Sequence, residues 1–505
     1  MTIGASAAVS STPASAMELD WSGQFRAESN LVRGYAKGNG PNDPRPAAGG
    51  YSIRGGGSES AQFQTLFLRL MPKLVVNDNI YIKSEWWLGN PVYGFYGDSF
   101  PGSSDQRQFY SNQSRGATVT AQRFWAEFLT DIGTVQVGRA PLNWGLGLVW
   151  SAGDGIFDRY ESTGDTLRLI SKFGAFSFIP AITKYSMGNS VGGGCTFNAG
   201  TVGTTGACTP GSGGAGLSDY SLALKYENPD EEFEGGVNFI KRVAGAAQDP
   251  ASGVIVPTLS TNPQGTGGMN FNTFDLYGKK KLGKLSLAAE LPVVSGDLGG
   301  SSYKTFAVAT EIKWKPNDTF ELNSKLGHAP GQGNIQGTQA EKFKAFFFNP
   351  NYRLGLIMFN YQLANFAGVQ TTNNPGATSG NLSSPYDNPI VNANYLALGG
   401  TLHAEKWHFR TNFITAKASE SAGASGNFYN YWTRKYVANT TGKAQDKGLG
   451  SEIDFGTSFH WDETFQFHFD FGWYYPGDFY RFSNALAENA NPTIFGASLK
   501  AGVAF

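Results

Sequence analysis

The chain has 505 residues, of which 40% are hydrophobic and only 16% charged, against roughly 25% charged in an ordinary soluble chain. Its 39 Lys+Arg against 40 Asp+Glu give a formal net charge of -1, which excludes a nucleic-acid binder held by bulk charge. The 14% aromatic content excludes a disordered polar chain, and no uncharged apolar run approaches the roughly 18 residues of a membrane-spanning helix. A large, Gly- and aromatic-rich all-β chain remains.

In chain order, residues 1–16 (MTIGASAAVSSTPASA) come first and end in Ala14, Ser15 and Ala16. This is the small-residue pattern at which a secretory leader is cut. The mature chain is expected to be a single domain over 17–505. Period-two alternation then predicts strands near 19–27, 61–71, 78–89, 118–130, 133–140, 165–173, 175–186, 218–227, 231–241, 271–281, 284–294, 303–314, 318–327, 391–403, 406–417, 448–460, 463–475 and 494–505. That is about 18 strands, an even number, as bacterial transmembrane barrels have. The clearest run places Phe465, Phe467, Phe469, Phe471 and Trp473 on one face. Gln466, His468, Asp470, Gly472 and Tyr474 fall on the other. Ile453, Phe455, Thr457 and Phe459 repeat the pattern, as do Phe306, Val308, Thr310, Ile312 and Trp314. Apolar residues facing lipid and polar residues facing a lumen give this alternation in a transmembrane antiparallel β-barrel.

Short connections carry turn chemistry, as at Asp131-Ile132-Gly133, Asn228-Pro229-Asp230, Leu282-Gly283, Pro316-Asn317-Asp318, Ala404-Glu405 and Trp461-Asp462. Long connections at 28–60, 90–116, 187–217, 243–269 and 418–447 are rich in Gly, Ser, Asn and Pro. Short turns at one end and long loops at the other match periplasmic and extracellular sides. Trp21, Trp314, Trp407 and Trp461 fall near the short-turn ends, and Trp86, Trp87 and Trp473 nearer the other, as interfacial girdles require. The stretch 342–366 (KFKAFFFNPNYRLGLIMFNYQLANF) breaks the scheme. It is read as part of an excursion, 329–390, folding into or over the pore mouth, with 141–163 as a second narrowing. Two further strands, giving 20, are the alternative.

A charge turned toward lipid at the midplane costs roughly 2 to 4 kcal/mol, so strand charges are assigned inward. The pore-lining set is Arg26, Arg69, Lys83, Glu85, Arg123, Glu127, Arg139, Arg168, Lys172, Glu311, Arg410, Glu452, Asp454 and Asp470. Basic and acidic inward residues are about equal in number, and most are expected to pair across strands. Opposed walls of charge would suit polar solutes with little ion preference. Cys195 and Cys208, the only cysteines, share one Gly/Thr-rich loop and are expected to form a disulfide in an oxidising compartment. His408, His460 and His468 are expected to face the lumen on neighbouring strands, but nothing in their spacing points to a metal. Neither G-x-S-x-G nor H-E-x-x-H occurs, and no catalytic residue or cofactor is assigned.

Two segments carry a family resemblance. The last residues, NPTIFGASLKAGVAF, alternate and close on Phe505, which resembles the final strand of bacterial outer-membrane barrels. In that family the barrel-assembly machinery reads this end. Residues 133–169 (GTVQVGRAPLNWGLGLVWSAGDGIFDRYESTGDTLRL) resemble the strand-G-R segment of many Gram-negative porins. They are also similar to alginate-export-type channels, in which a Gly-rich loop leads to an Asp-x-x-Arg-Leu strand, here Asp165 to Leu169. The resemblance implies a porin-like barrel in the cell outer membrane, surrounded by lipid bilayer and lipopolysaccharide, passing small hydrophilic solutes by passive diffusion. A substrate-specific or polysaccharide-export channel and a structural or adhesive barrel with an occluded lumen are the alternatives. A barrel enzyme is a further, remoter one. No nucleic-acid partner is expected, and homotrimer and monomer stay open.

Overall fold

The computed structural model describes residues 18–34, 60–89, 119–185, 217–244, 269–298, 301–336, 340–361, 388–431, 435–482, 488 and 491–505. The expected leader at 1–16 and the pair Cys195 and Cys208 lie outside the described residues.

Eighteen antiparallel strands close into one barrel. They are β1 (Gly23–Arg33), β2 (Ser60–Leu70, continued by Lys73–Asn77), β3 (Ile80–Leu88), β4 (Val119–Thr130), β5 (Gly133–Pro141) and β6 (Thr163–Phe173). Then come β7 (Phe176–Lys184), β8 (Ser218–Asn228), β9 (Phe233–Ala244), β10 (Met269–Leu282), β11 (Leu285–Leu298) and β12 (Ser301–Phe306, continued by Val308–Trp314). The last six are β13 (Phe320–Ala329), β14 (Ala393–Ala404), β15 (Trp407–Lys417), β16 (Gly448–His460), β17 (Phe465–Pro476) and β18 (Ile494–Ala504). Each pairs with its neighbours in sequence, and β18 returns to β1 with Gln24 opposite Ala504 and Arg33 opposite Phe495. Gly23 N–H donates to the Phe505 carbonyl at 2.8 Å, and Phe505 N–H donates to the Gly23 carbonyl at 3.0 Å, so the two ends lock the seam.

The first strand differs from expectation. Residues 19–27 were to form it, yet β1 runs Gly23–Arg33, and Glu18–Asp20 instead pairs with Lys73–Val75. Trp21 and Ser22 form the break between the two pieces.

The turns explain why one end is tight. Gly283 and Glu405 take positive φ of 59° and 53° in two-residue connections. Asn317 Oδ1 accepts from the N–H groups of Thr319 and Phe320 at 3.0 and 2.9 Å. Asp462 Oδ1 does the same for Thr464 and Phe465 at 2.9 and 2.8 Å. Asn and Asp side chains thereby stand in for backbone acceptors that a two- to four-residue turn cannot supply.

The outer face is apolar. Leu66, Phe128, Leu167, Leu224, Leu276, Leu398, Phe413, Phe469 and Leu499 are exposed, and all but Leu398, whose strand has no charged residue, lie on the face opposite the inward charges of their strands. Exposed Trp21, Trp314, Trp407 and Trp461 mark the short-turn rim, and exposed Trp86 lies toward the far one. Trp87 instead points inward, its indole N–H donating to Glu85 Oε1 at 2.6 Å.

The hydrophobic core lies inside the barrel. Phe343, Phe348, Tyr352, Ile357 and Tyr361 from the connection between β13 and β14 pack against Ala309, Ala329, Ala393, Ala397 and Ala416 of the wall. Small wall residues leave the volume that these large side chains fill. The stretch read as an excursion therefore enters the barrel and adds no transmembrane strand, so the count is 18.

Leu224→Arg, on the outer face of β8, is expected to destabilise the bilayer-embedded barrel by about 2–4 kcal/mol. Equilibrium refolding into vesicles measures it, with an unchanged midpoint refuting the lipid-facing assignment.

Candidate functional site

Two connections cross the lumen and meet. The first, residues 142–162 between β5 and β6, is held on one side by β1 and β4. Arg26 donates to the carbonyls of Ile156, at 3.0 Å, and Asp158. Arg123 donates to the Ala152 carbonyl, and Gln24 donates to that of Asp154 at 2.9 Å. On the other side Glu290 of β11 accepts the N–H groups of Leu146 and Leu148, the latter at 3.1 Å. Gly145 sits at φ +56°, and a Cβ there would meet Glu290 Oε2 at 2.5 Å. Both the conformation and the close approach require glycine.

The second crossing, residues 343–361, hangs from β15, β16 and β1. Glu452 accepts the N–H groups of Ile357 at 2.7 Å and Met358 at 2.5 Å, and Asp454 that of Leu356 at 3.1 Å. Asn412 donates to the Leu354 carbonyl at 2.8 Å, and the Tyr361 hydroxyl to Asn30 Oδ1 at 3.0 Å. The crossings join through two asparagines. Asn349 N–H donates to the Leu148 carbonyl at 2.8 Å, and Asn351 Oδ1 accepts from Arg159 and Tyr160 N–H at 3.2 and 3.0 Å. Asn351 also donates to the Tyr160 carbonyl. The result is a bar across the barrel, tied to the wall by backbone groups that donate to carboxylates. Such charge-assisted bonds are about twice as strong as neutral ones.

At the β1–β4 end of the bar, Arg26, Arg69, Arg123 and Arg159 meet Glu28, Glu85, Asp154 and Glu161. Arg159 reaches Glu28 at 2.5 Å, and Arg69 reaches Glu85 at 3.1 Å. The single Arg123 guanidinium serves Glu85 at 2.8 Å, Glu161 at 3.0 Å and Asp154 at 3.2 Å. Arg26 also stacks over Phe67, 4.8 Å from its centroid. Burial, with Arg123 opposing and Glu85 adding to it, pushes the Glu161 carboxyl up to about 7.

The expected pore-lining residues separate into three groups. Arg26, Arg69, Glu85, Arg123, Glu452 and Asp454 point inward and are buried; Arg26, Arg123, Glu452 and Asp454 bond to the crossings directly, whereas Glu85 pairs with Arg69 and Arg123. Lys83, Glu127, Arg168, Lys172, Glu311, Arg410 and Asp470 also take the inward side of their strands, with Lys172 at the short-turn rim. Pairs form at 2.9 Å for Lys83–Glu127 and Lys325–Glu311, and at 2.8 Å for Arg410–Asp470. Arg168 donates to Gln136 at 2.7 Å. Arg139 is the exception: it shares the outer face of β5 with Val135 and Val137 and holds Asp165 of β6 at 2.8 and 3.2 Å. At a strand end the outer face meets water and headgroups, so the midplane cost that argued for an inward Arg139 does not apply there.

Sequence reading missed Arg159 and Arg353, which lie in non-periodic connections, and the Arg242–Asp219 pair at 2.7 Å, where the expected strand stopped at 241. Asn30 and Asn351 were also missed: Asn30 fell in the long connection expected over 28–60 but lies on the first strand, and Asn351 fell in the excursion.

Two openings flank the bar. One, of about 340 Å³, is lined by Trp150, Tyr185, Arg242, Phe271, Tyr303 and Phe346. The other, of about 350 Å³, is lined by Lys325, Arg353, Arg410, His468, Asp470 and Lys500. Beyond it His403, His408, His460 and His468 form a row on four consecutive strands, with ring centroids 4.6, 4.7 and 6.2 Å apart. Among the described residues no three His, Cys, Asp or Glu converge to hold a metal ion.

Gly145→Ala should free the bar from Glu290, and Glu452→Ala should leave two buried N–H groups without acceptors, at about 1–3 kcal/mol each. Both variants are expected to show faster amide exchange in the crossing concerned, with barrel strands unchanged. The Glu161 carboxyl adds a pH dependence. Its stabilisation is full below about 4.5 and lost as pH rises through about 7, because the folded state favours the neutral acid. Protection of 142–162 against amide exchange, relative to the intrinsic rate at each pH, should therefore fall as the Glu161 carboxyl ionises on the way to about 7, and Glu161→Gln should flatten that profile.

No protein-family model and no curated protein matches the sequence. Among solved structures, the chain is similar to OccK9 (OpdG) of Pseudomonas aeruginosa at 10% identity, with 96% of this chain and 99% of that one covered and a TM-score of 0.47. It is similar to OccK2 (OpdF) of the same organism in complex with glucuronate at 10% identity, 96% and 98% coverage, and a TM-score of 0.47. To a loop L8 deletion mutant of OmpT, an outer membrane protein of Vibrio cholerae, the values are 9%, 96%, 99% and 0.34. At such identities and scores nothing about solutes follows. Eighteen strands closed on themselves, apolar outside and charged inside, give this chain the architecture of an outer-membrane-type transmembrane β-barrel.

Proposed function

We propose that the protein is a channel through which small hydrophilic solutes diffuse passively across the outer membrane. The observation that carries this reading is the pair of cavities, of about 340 and 350 Å³, that the crossings leave against the barrel wall. Eighteen strands enclose room for water beyond their own side chains. The paired charges of the wall hold that water without a large net field. A solute would be selected by size at the bar and by polarity along the wall. The reading assigns no bond-making step and needs no cofactor.

A second reading, a substrate-selective channel, draws on the difference between the openings. Aromatic rings dominate the first, whereas Lys325, Arg353, Arg410 and Lys500 outnumber Asp454 and Asp470 in the second. A solute with an apolar body and an anionic group would find a surface for each part.

Single-channel recording of the refolded mature chain in planar bilayers tests both. Steady openings are expected, and removal of residues 344–360 should raise conductance several-fold. Absence of any conductance in both forms would overturn the channel reading. Solute-dependent current block by small organic anions, but not by neutral sugars of equal size, would favour the selective one.

A further inference from the structure

Two carboxyl groups of the inner wall face each other with no cation between them. Asp275 of β10 and Glu290 of β11 both point inward and are 0% exposed. Their carboxyl groups lie within hydrogen-bonding reach of one another, and neither has an ion pair among the described residues. Glu290 is the acceptor for the Leu146 and Leu148 N–H groups of the first crossing. Asp275 has no such support, since neither of its oxygens meets a donor among the described residues. Asn238 of β9 stands directly opposite Asp275 in the strand register and is 1% exposed. Its Oδ1 also meets no donor. The inward cations of neighbouring strands are matched elsewhere: Lys225 to Glu234, Arg242 to Asp219 and Lys325 to Glu311. Lys279, farther along β10, is exposed near the short-turn end. Trp144 of the first crossing packs over Gly236 and Tyr277, the next inward residues of β9 and β10. A Cβ on Gly236 would meet the Trp144 ring at 3.1 Å, and the Trp144 and Tyr277 ring centroids are 6.5 Å apart.

We infer that Asp275, Glu290 and Asn238 form a binding site for a hard divalent cation, calcium. Two carboxylates facing one another in a dry wall repel, and either a shared proton or a bound cation relieves them. A shared proton serves one oxygen of each carboxyl. It leaves the other Asp275 oxygen and Asn238 Oδ1 bare, whereas a cation takes all of them together. Every ligand atom is oxygen and the two carboxylates carry two negative charges, which suits a hard divalent ion. Calcium takes about six to eight oxygens in flexible geometry, from carboxylates, amide carbonyls and water. Magnesium demands a near-ideal octahedron at shorter distances and keeps its waters, so this set favours calcium. A carboxylate has about four lone-pair sites, so Glu290 can bind the ion while it holds Leu146 and Leu148. The ion would thereby fix the acceptor from which the first crossing hangs. The site does not depend on which solute, if any, the barrel passes.

Equilibrium dialysis of radiolabelled calcium against the chelator-stripped, refolded full chain in non-ionic detergent tests this. The readout is the ion lost between wild type and variant, so calcium held elsewhere on the chain does not count. Asp275→Asn and Asn238→Leu, each compared as a folded barrel by circular dichroism, should weaken one calcium ion by about tenfold or more. Loss of even an indirect partner of a metal has an effect of that size. Asn238→Asp, which keeps the oxygen and adds charge, should retain the ion and bind it more tightly. In the wild type, calcium should slow amide exchange in 142–162 and leave 343–361 unchanged. Full calcium retention by either Asp275→Asn or Asn238→Leu overturns the site. So does an infrared band of a protonated carboxyl, present in saturating calcium at neutral pH and removed by Asp275→Asn, because the pair then shares a proton. Equal retention of magnesium overturns the choice of calcium.

Discussion

A β-strand in a bilayer has no water to satisfy its backbone, and each unpaired N–H or C=O left in hydrocarbon costs several kcal/mol. The sheet must therefore close, and everything else in this chain accommodates closure. The Gly23–Phe505 exchange and the β1–β18 register complete the ring. Once closed, the strands' two faces are fixed by parity, and one residue of slip would turn every lumen charge into lipid. The arginines and carboxylates of the wall thus enforce the register as much as they line the interior.

Closure of 18 strands creates a second problem, an interior too wide for wall side chains alone to fill. The chain meets it with two crossings held by opposite means. Residues 343–361 pack aromatic and aliphatic side chains against alanines of β12 to β15, as a globular core would. Residues 142–162 are held by a network of four arginines and four carboxylates. Removing either partner of a buried pair is costly because the other stays charged and dry. The hydrophobic crossing supplies volume and the ionic one supplies position, and Asn349 and Asn351 make them one object.

Period-two patterning made 17 of the strands legible to within a few residues, because lipid on one side and water on the other impose the strictest alternation a strand meets. The first strand was misplaced because Leu19 and Trp21 alternate as well as Phe25 and Leu31 do, and only pairing with Lys73–Val75 separates them. The site was less legible. Parity identifies which way Arg26 or Glu452 points, but not that a distant connection will cover it. Ala309, Ala329, Ala397 and Ala416 hold the missing information. They occupy the face where polar residues were expected, and a small apolar residue facing a lumen implies something large packed against it. Arg139 was assigned inward by applying the midplane cost of a charge to a strand end.

The division of charge follows from dielectric position. In the narrow interior, where the crossings exclude water, most carboxylates are met by an opposite charge or by backbone donors, as Glu28 is by Arg159 and Glu452 by the N–H groups of Ile357 and Met358. The wall pairs Lys83–Glu127, Lys325–Glu311 and Arg410–Asp470 compensate one another's charge. At the outer rim, water and headgroups solvate an ammonium group, so Lys184, Lys241, Lys304 and Lys417 are exposed there with no ion pair among the described residues. Position in the barrel, more than residue type, therefore decides whether a lysine holds the architecture together or stays free to meet the surroundings.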